Sequence, residues 1–297
     1  MKLKNLVIGS GITLGVVGLG LAVKSFLPQR FSTASWVKQK ERWPRFNIAA
    51  LPEIEVSFLR CGSITIPELI AVRGAFSLAP RVISHSAVLI RHPNFRLEQS
   101  LGSHLTERRI GGSDLNFAVL SHLHWDHVGG IPDIPGVPLR VNRVEYEAAK
   151  LGLLDAGHRL VRRLMGDNPV ELFDCAGPTY EGFRSSLDLF GDGSVVLVPL
   201  PGHTAGNTGM FINRSNGPRV FLLGDATWVS ENYMRPATMH PFLWSRVTSD
   251  DATARQTLID LHYYALQHPE VPLIGMHDAA LQEQYMRSEK FTQAMTR

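Results

Sequence analysis

The stretch that decides the fold of this chain is Ser121-His122-Leu123-His124-Trp125-Asp126-His127, with three imidazoles and a carboxylate close together. Imidazole nitrogen and carboxylate oxygen are ligands that zinc and similar divalent ions bind readily. On an extended segment His122, His124 and Asp126 share one face, because side chains two residues apart point the same way. His127 then points elsewhere. The stretch therefore predicts ligands for two adjacent ions, in preference to a surface cluster or a set of core histidines.

Further candidate ligands follow apolar runs later in the chain. The three pairs are Val195–Leu200 with His203, Val220–Leu223 with Asp225, and Val271–Gly275 with His277. Each is weak alone, because an aspartate after a strand is usually a turn or cap residue. Their recurrence in the same setting predicts that strand ends bring them to one rim of a scaffold.

In chain order, the motifs Ser-His-Leu-His-Trp-Asp-His, Pro-Gly-His-Thr, Gly-Asp and His-Asp resemble those of the metallo-β-lactamase superfamily, from about residue 53 to about residue 285. Residues 188–194 and 141–147 are similar to its N-acyl homoserine lactonase-like branch. The resemblance implies an α/β fold, a four-layer αββα sandwich with ligands on a shallow rim between two sheets. In this chain an N-terminal apolar helix is expected to precede it.

The resemblance also implies a centre with two Zn²⁺ per chain, with iron or manganese as other candidate metals. It assigns His122, His124 and His203 to one ion, Asp126, His127 and His277 to the second, and Asp225 to a bridging position. We call the first three residues the first donor set and the next three the second donor set. Asp126 and Asp225 are the catalytic candidates, and Asp126 is expected to take a proton from the collapsing intermediate.

Such a centre predicts a hydrolase that opens a carboxylic ester or lactone through a metal-bridging hydroxide. Two bound cations lower the pKa of water from ~15.7 toward ~7, so hydroxide forms at neutral pH. No Gly-x-Ser-x-Gly nucleophile motif occurs. A thioester hydrolase or a β-lactamase on the same centre remains an alternative. A mono-iron persulfide-type oxygenase and a binding module without catalysis are alternatives of other classes.

Two features depart from the resembled lactonases. Those enzymes commonly carry a tyrosine three residues after the bridging aspartate, whereas this chain has Trp228. An indole N–H can donate to a substrate carbonyl but cannot act as an acid. Tyr233 either replaces the missing phenol or packs in the core, and Trp125 either lines the pocket or packs. Residues 96–102 also lack the aspartate expected in an early turn.

The N-terminal region predicts a membrane anchor. Leu6–Val23 carries no charge and is flanked by lysines, and its length is near the lower limit for crossing a bilayer. A cleaved signal peptide is the alternative. We expect residues 1–27 to be the anchor or signal segment, 28–52 a tether and 53–297 the metallo-hydrolase domain.

The side of the membrane rests on two opposing signals. Basic residues after the apolar segment favour a cytoplasmic catalytic domain, whereas a short basic head before it is the usual export arrangement. We expect export, to a periplasmic or extracytoplasmic location. The net charge of +3 is spread along the 297 residues, which argues against a nucleic-acid partner. Neither the oligomeric state nor a Cys61–Cys175 disulfide is determined by the sequence.

Apolar and alternating runs predict the strands, and helical periodicity predicts the helices. The predicted strands are Glu55–Leu59, Ala87–Arg91, Leu115–Leu120, Val195–Val198, Met210–Ile212, Val220–Leu223 and Val271–Ile274. The predicted helices are Asp251–His268, with Asp250 as its cap, Val144–Leu151 and His158–Met165. The segment from about Asp155 to Tyr180 is expected to cover a substrate groove.

Overall fold

The computed structural model describes residues 23–24, 26–29, 54–91, 101, 105–106, 109–151 and 156–295. The predicted anchor and tether therefore lie outside the described residues, except for Val23 and a few residues up to Gln29. No helix within the described part of the chain is long and apolar enough to cross a membrane.

A long antiparallel hairpin opens the domain. Its strands are β1 (Glu55–Pro67) and β2 (Pro80–Arg91), joined by the short helix α1 (Glu68–Ala71), and the register shifts between Arg60 and Gly62. The sequence predicted only the outer end of each strand. The inner halves read poorly as strands because several of their alternate residues are polar or exposed, and only the cross-strand pairing reveals them.

A central sheet of five strands has the order β10-β9-β8-β7-β6. Its strands are β6 (Leu187–Asp188), β7 (Val195–Pro199), β8 (Thr208–Ile212), β9 (Val220–Leu222) and β10 (Leu273–Ile274). Strands β6 to β9 pair antiparallel, and β10 joins β9 in parallel. The four predicted strands in this region are confirmed, although β10 is shorter than expected and β6 was missed.

A smaller parallel sheet follows the order β3-β4-β5. Its strands are β3 (Ala118–Leu120), β4 (Leu139–Asn142) and β5 (Val170–Phe173), and its helices are α2 (Trp125–Val128), α3 (Arg143–Leu151) and α4 (Ala156–Met165). Short 3-10 turns occur at Gly112–Asp114 and Ile131–Asp133. The predicted helices match α3 and α4. The segment from about Asp155 to Tyr180, which is expected to cover a substrate groove, contains α4 and β5, and β5 pairs with β4 as part of this sheet.

Four helices complete the domain, namely α5 (Ser230–Met234), α6 (Pro241–Val247), α7 (Asp251–Gln267) and α8 (Ala279–Met295). Helix α7 matches the prediction, and the side chain of Asp250 caps it by accepting a hydrogen bond from the backbone N–H of Thr253 at 3.1 Å. Helices α5, α6 and α8 were not predicted, because α5 and α6 are short and α8 is rich in polar residues.

The central sheet is buried on both faces. One face packs Phe211 and Phe221 against Leu258 and Tyr264 of α7. The opposite face packs Val195, Ile212 and Val220 against Ile54 and Val56 at the start of the hairpin and Tyr285 of α8. Burial on both faces explains why β7 is a continuous apolar run rather than an alternating one.

Candidate metal centre

The first metal loop begins where β3 ends. His122 and His124 lie in an extended loop, and helix α2 begins at Trp125 after His124, whose φ is −78° and ψ 151°. The expectation that His122, His124 and Asp126 share one extended face is therefore wrong for Asp126. Asp126 and His127 instead lie on one helical turn, about 100° apart around its axis.

Strand direction explains why the later loops meet this one. Strands β7 and β9 are both antiparallel to β8, and β10 is parallel to β9, so the carboxyl ends of β7, β9 and β10 lie at one edge. His203, Asp225 and His277 follow these three ends. A hydrogen bond of 2.9 Å from the N–H of Thr208 to the carbonyl of Ser121 joins the first metal loop to the same edge.

The structure brings the first donor set together. One ring nitrogen from each of His122, His124 and His203 lies within 4.8 Å of the others. His203 Nε2 and His124 Nδ1 are only 2.9 Å apart. Two imidazole lone pairs this close repel one another unless a proton or a cation lies between them.

Asp225 lies between the donor sets, in the position that the resemblance assigned to a bridging ligand. Its Oδ2 is 3.0 Å from His277 Nε2 and 3.4 Å from His203 Nε2. Its Oδ1 is 3.2 Å from His127 Nε2. One carboxylate thus faces imidazoles of both sets.

The second donor set is looser and more open to solvent. Asp126 Oδ2 lies 3.7 Å from both His127 Nε2 and His277 Nε2. The side chain of Asp126 is 16% exposed, whereas that of Asp225 is 3% exposed. Asp126 is therefore the carboxylate that a molecule entering from solvent reaches first.

His85 is an additional histidine at this set that the sequence analysis did not identify. Its Nε2 lies 3.6 Å from Asp126 Oδ2, and His85, Asp126 and His277 each offer one ligand atom within 4.8 Å of the other two. The sequence did not reveal this residue because the predicted strand began at Ala87, two residues after His85. The direction of the His85 side chain therefore could not be predicted.

Burial keeps most of these imidazoles neutral. It lowers the pKa of His203 to about 3 and that of His122 well below its ordinary value. Burial alone would raise the pKa of Asp225, but the facing His127 and His277 hold it well below the usual range. A neutral imidazole and an ionised carboxylate are the forms that bind metals.

His277 differs from the other buried imidazoles of the cluster. Burial lowers its pKa, but the adjacent Asp225 and its hydrogen bonds raise the value overall to about 9. A cation that bound between His277 and Asp225 would compete with the proton that this raised pKa favours.

Several buried ligand atoms of the cluster lack a hydrogen-bond partner, as expected for a site that binds metal ions. His122 Nε2, His127 Nε2 and Asp225 Oδ1 are buried without a hydrogen-bond partner. Unpaired buried polar atoms are costly in a folded protein, by about 1–3 kcal/mol each. Cations shared by the converging lone pairs would remove that cost.

Neighbouring groups orient several of the imidazoles. His277 Nδ1–H donates to the carbonyl of Ser84 at 2.7 Å, which turns Nε2 toward Asp225. His122 Nδ1 contacts Ser121 Oγ at 3.2 Å. Such contacts fix the tautomer and orientation of a metal-binding histidine, and the sequence analysis did not identify them.

The aromatic candidates have separate fates. Trp125 is 58% exposed, so it does not pack in the core and stands beside the cluster at the surface. Trp228 lies 4.7 Å from His277 between ring centroids, and its indole nitrogen is buried without a partner. The prediction that Tyr233 contacts the substrate is wrong. Tyr233 is buried in the core, and its hydroxyl donates to the carbonyl of Leu273 at 3.0 Å.

Comparison with known proteins decides the family. The sequence profile described as the metallo-beta-lactamase superfamily matches residues 86–260, more than half of the 297-residue chain. The chain belongs to the metallo-beta-lactamase superfamily. It has the α/β fold of that superfamily, with sheets and helices.

Several curated members of the superfamily are similar in sequence. N-acyl homoserine lactonase AttM of Rhizobium radiobacter is 27% identical over 179 residues, which are 60% of this chain and 64% of that protein. An N-acyl homoserine lactonase of Bacillus thuringiensis is 30% identical over 130 residues, covering 42% of this chain and 45% of that protein. The chain thus spans between 45% and 64% of the length of these two curated relatives.

Solved structures of the superfamily share the fold. A Bacillus thuringiensis AiiA variant with N-decanoyl-L-homoserine at its active site gives a TM-score of 0.57 at 18% identity, covering 79% of this chain and 96% of that one. The dizinc lactonase AidC, in complex with N-hexanoyl-L-homoserine, gives 0.56 at 14% identity, covering 77% and 89%. N-acyl homoserine lactonases thus occur among the sequence relatives, and the solved lactonase structures show the shared fold.

Proposed function

We propose that this chain is a metal-dependent hydrolase that opens a carboxylic ester, and specifically a lactone, at a dinuclear zinc centre. The observation that carries the proposal is the convergence of both donor sets on Asp225, which faces His203 of the first set at 3.4 Å and His277 of the second at 3.0 Å. A closed structural zinc site needs only four ligands. Seven donors with one carboxylate between them suit two ions that share a ligand.

Two divalent cations at this position supply Lewis-acid polarisation of a carbonyl and a bound water of lowered pKa. The chain's own residues do the rest. Asp225, buried and ionised, holds the two halves of the centre at a fixed separation. Asp126, the more exposed carboxylate, is placed to take up a proton at Oδ2 and deliver it to the departing alkoxide oxygen of the opened ester.

The substrate side of the proposal rests on the open face of the centre. Trp125, largely exposed beside Asp126, offers an apolar surface to an acyl chain. Trp228 has an unpaired indole N–H next to His277. That N–H can donate to a substrate oxygen, in the place where the resembled lactonases have a phenol. The lactonase relatives support a lactone as the substrate class.

We also propose that residues 6–23 anchor the enzyme to a membrane, with 28–52 as the tether and the catalytic domain on the extracytoplasmic side. The support is the uncharged Leu6–Val23 run flanked by lysines. Fractionation of cells expressing the full chain, followed by protease treatment of intact spheroplasts, tests both points. Full protection of the domain from protease would show that the catalytic domain lies on the cytoplasmic side. Recovery of the full chain in the soluble fraction would contradict the membrane anchor.

The function is tested with the purified full chain, loaded with zinc, on a panel of small substrates. We expect turnover of N-acyl homoserine lactones or simple lactones, lost in Asp126→Ala and His203→Ala variants that retain the wild-type circular dichroism spectrum. Thioester and β-lactam substrates belong in the same panel. Turnover of either class without any turnover of esters or lactones would replace the proposed substrate class, and no turnover at all would refute the proposal.

A further inference from the structure

His85 lies at the centre because of its register in the hairpin. Ser84 N–H donates to the carbonyl of His277 at 3.0 Å, and the Ser84 side chain is buried, with its hydroxyl 3.2 Å from Gln282 of α8. Side chains alternate along a strand, so His85 projects to the opposite face. That face carries Asp126 and His277. Opposite His85 on β1 stands Gly62, directly after the register shift.

The distances around His85 indicate that His85, Asp126 and His277 converge on one point and do not form a direct hydrogen bond from His85 to Asp126. Its Nε2 is 3.6 Å from Asp126 Oδ2, which is too long for a hydrogen bond. The ring of His85 stands nearly perpendicular to that of His277, at 77° and 5.0 Å between centroids. One ligand atom from each of the three residues lies within 4.8 Å of the others, as expected for donors that converge on one cation.

We propose that His85 is an additional ligand of the second metal ion, together with Asp126 and His277. This inference rests on the proposed two-metal centre and extends it. The side chain of His85 is 22% exposed, so it closes the second site on the side that faces solvent. A neutral imidazole there adds a donor without adding charge. His85 thereby increases the metal affinity of the second site, whose other donors are farther apart than those of the first site.

Metal titration of the full chain tests this role. Metal-free wild type, His85→Ala and Val82→Ala are titrated with zinc in competition with a chromophoric chelator. Val82 lies on the same strand, is 41% exposed and has no place in the centre. We expect two equivalents in wild type and Val82→Ala. In His85→Ala the weaker equivalent should lose affinity by ~10-fold or more, the scale typical of altered metal surroundings, while the tighter one is unchanged.

A second variant and a second readout guard against misfolding. His85→Phe keeps a ring of similar size and a residue that strands favour, but it has no ring nitrogen. It should lose the weaker equivalent as His85→Ala does. With cobalt as the metal, both variants should change the visible absorption assigned to the second equivalent only, because that absorption depends on the number and type of ligands.

The outcomes separate this inference from the proposed function. Two equivalents with wild-type affinity in both His85 variants would overturn the ligand role, even if KM rose and so marked His85 as a substrate contact. Equal weakening of both equivalents would also overturn it, because it would indicate general damage to the fold. A wild-type protein that binds fewer than two equivalents would refute the two-metal centre itself.

Discussion

Glu145 accepts a hydrogen bond from the backbone N–H of Gly206 through Oε2, at 2.9 Å. Its other oxygen, Oε1, accepts from the N–H of Leu123 at 2.8 Å. Leu123 lies between the two histidines of the first metal loop, and Gly206 lies in the turn that carries His203. One buried carboxylate on α3 therefore holds together the two loops that supply the first donor set.

Glu145→Gln should weaken zinc binding by the first donor set and lower kcat/KM by about 10–100-fold, as loss of groups that position metal ligands generally does. The amide keeps the shape of the side chain but turns an NH₂ group toward one of the two backbone donors. Competition titration with zinc measures the affinity. Glu147→Gln, on the exposed face of the same helix, is the matched control and should match wild type. Wild-type zinc affinity in Glu145→Gln would contradict the positioning role.

The seven metal-binding candidates could be identified from the sequence because their chemistry is local. Each is an imidazole or a carboxylate in a loop or turn that follows an apolar strand, and the structure gathers all of them. The sheet edge at which these residues meet could be predicted only in outline. Its position depends on β7 and β9 running in the same direction, because both pair antiparallel with β8.

Other parts of the site depend on long-range contacts that no local pattern carries. His85 faces the centre because of the register of β2, and Glu145 matters because Leu123 and Gly206 reach it from distant segments. Strands β4 and β5 were missed because each has only four residues and β5 has no buried residue. Tyr233 shows the converse, since a residue close in sequence to Asp225 points into the core.

Gly202→Ala should destabilise the protein and reduce its zinc content. Gly202 has a φ of +122°, and a Cβ there would lie 2.2 Å from the backbone nitrogen of Ala254 at the start of α7. Backbone atoms of a helix cannot move aside without shifting the helix. The adjacent His203 would be displaced with the turn, so we expect a loss of several kcal/mol in the free energy of unfolding, in line with other backbone clashes.

Gly136→Ala is the control for that substitution, because Gly136 also has a positive φ, +81°, but has open space around its missing Cβ. Strain alone costs roughly 1–2 kcal/mol, and zinc content should stay at the wild-type value. Urea unfolding and elemental analysis of both variants make the comparison. Equal effects of the two alanines on stability and zinc content would show that the clash with Ala254 has no consequence.

The ion pair between Arg81 and Glu231 should contribute stability that disappears in acid. Two hydrogen bonds, of 2.6 Å and 2.7 Å, join the guanidinium to the carboxylate. Burial raises the pKa of Glu231, but the hydrogen bonds and charge of Arg81 lower it by a larger amount. The net pKa of Glu231 is therefore below its ordinary value. A carboxyl with a depressed pKa stabilises the fold above its unfolded-state pKa of about 4.3, and this contribution is lost as the pH falls through the folded-state value.

Glu231→Gln should therefore be less stable than wild type at pH 7, by about 1 kcal/mol for a pair that is partly exposed. The difference should shrink below pH ~4. Urea unfolding of metal-free samples across this range measures it without interference from metal release in acid. A difference that stayed constant from pH 7 to pH 3 would show that the lost contact is not electrostatic.

Removal of metal should lower the melting temperature of the whole domain. His203 Nε2 and His124 Nδ1 face each other at 2.9 Å, and His122 Nε2 is buried without a hydrogen-bond partner, so a bound cation would satisfy all three nitrogens. A ligand present at ~1,000 times its Kd stabilises the native state by about 4 kcal/mol, which corresponds to roughly 10 °C for a domain of this size. Calorimetry before and after chelation, with zinc added back, measures the shift. Melting that is unchanged by chelation and by added zinc would mean that the converging donors hold no cation, and the proposed chemistry would lose its basis.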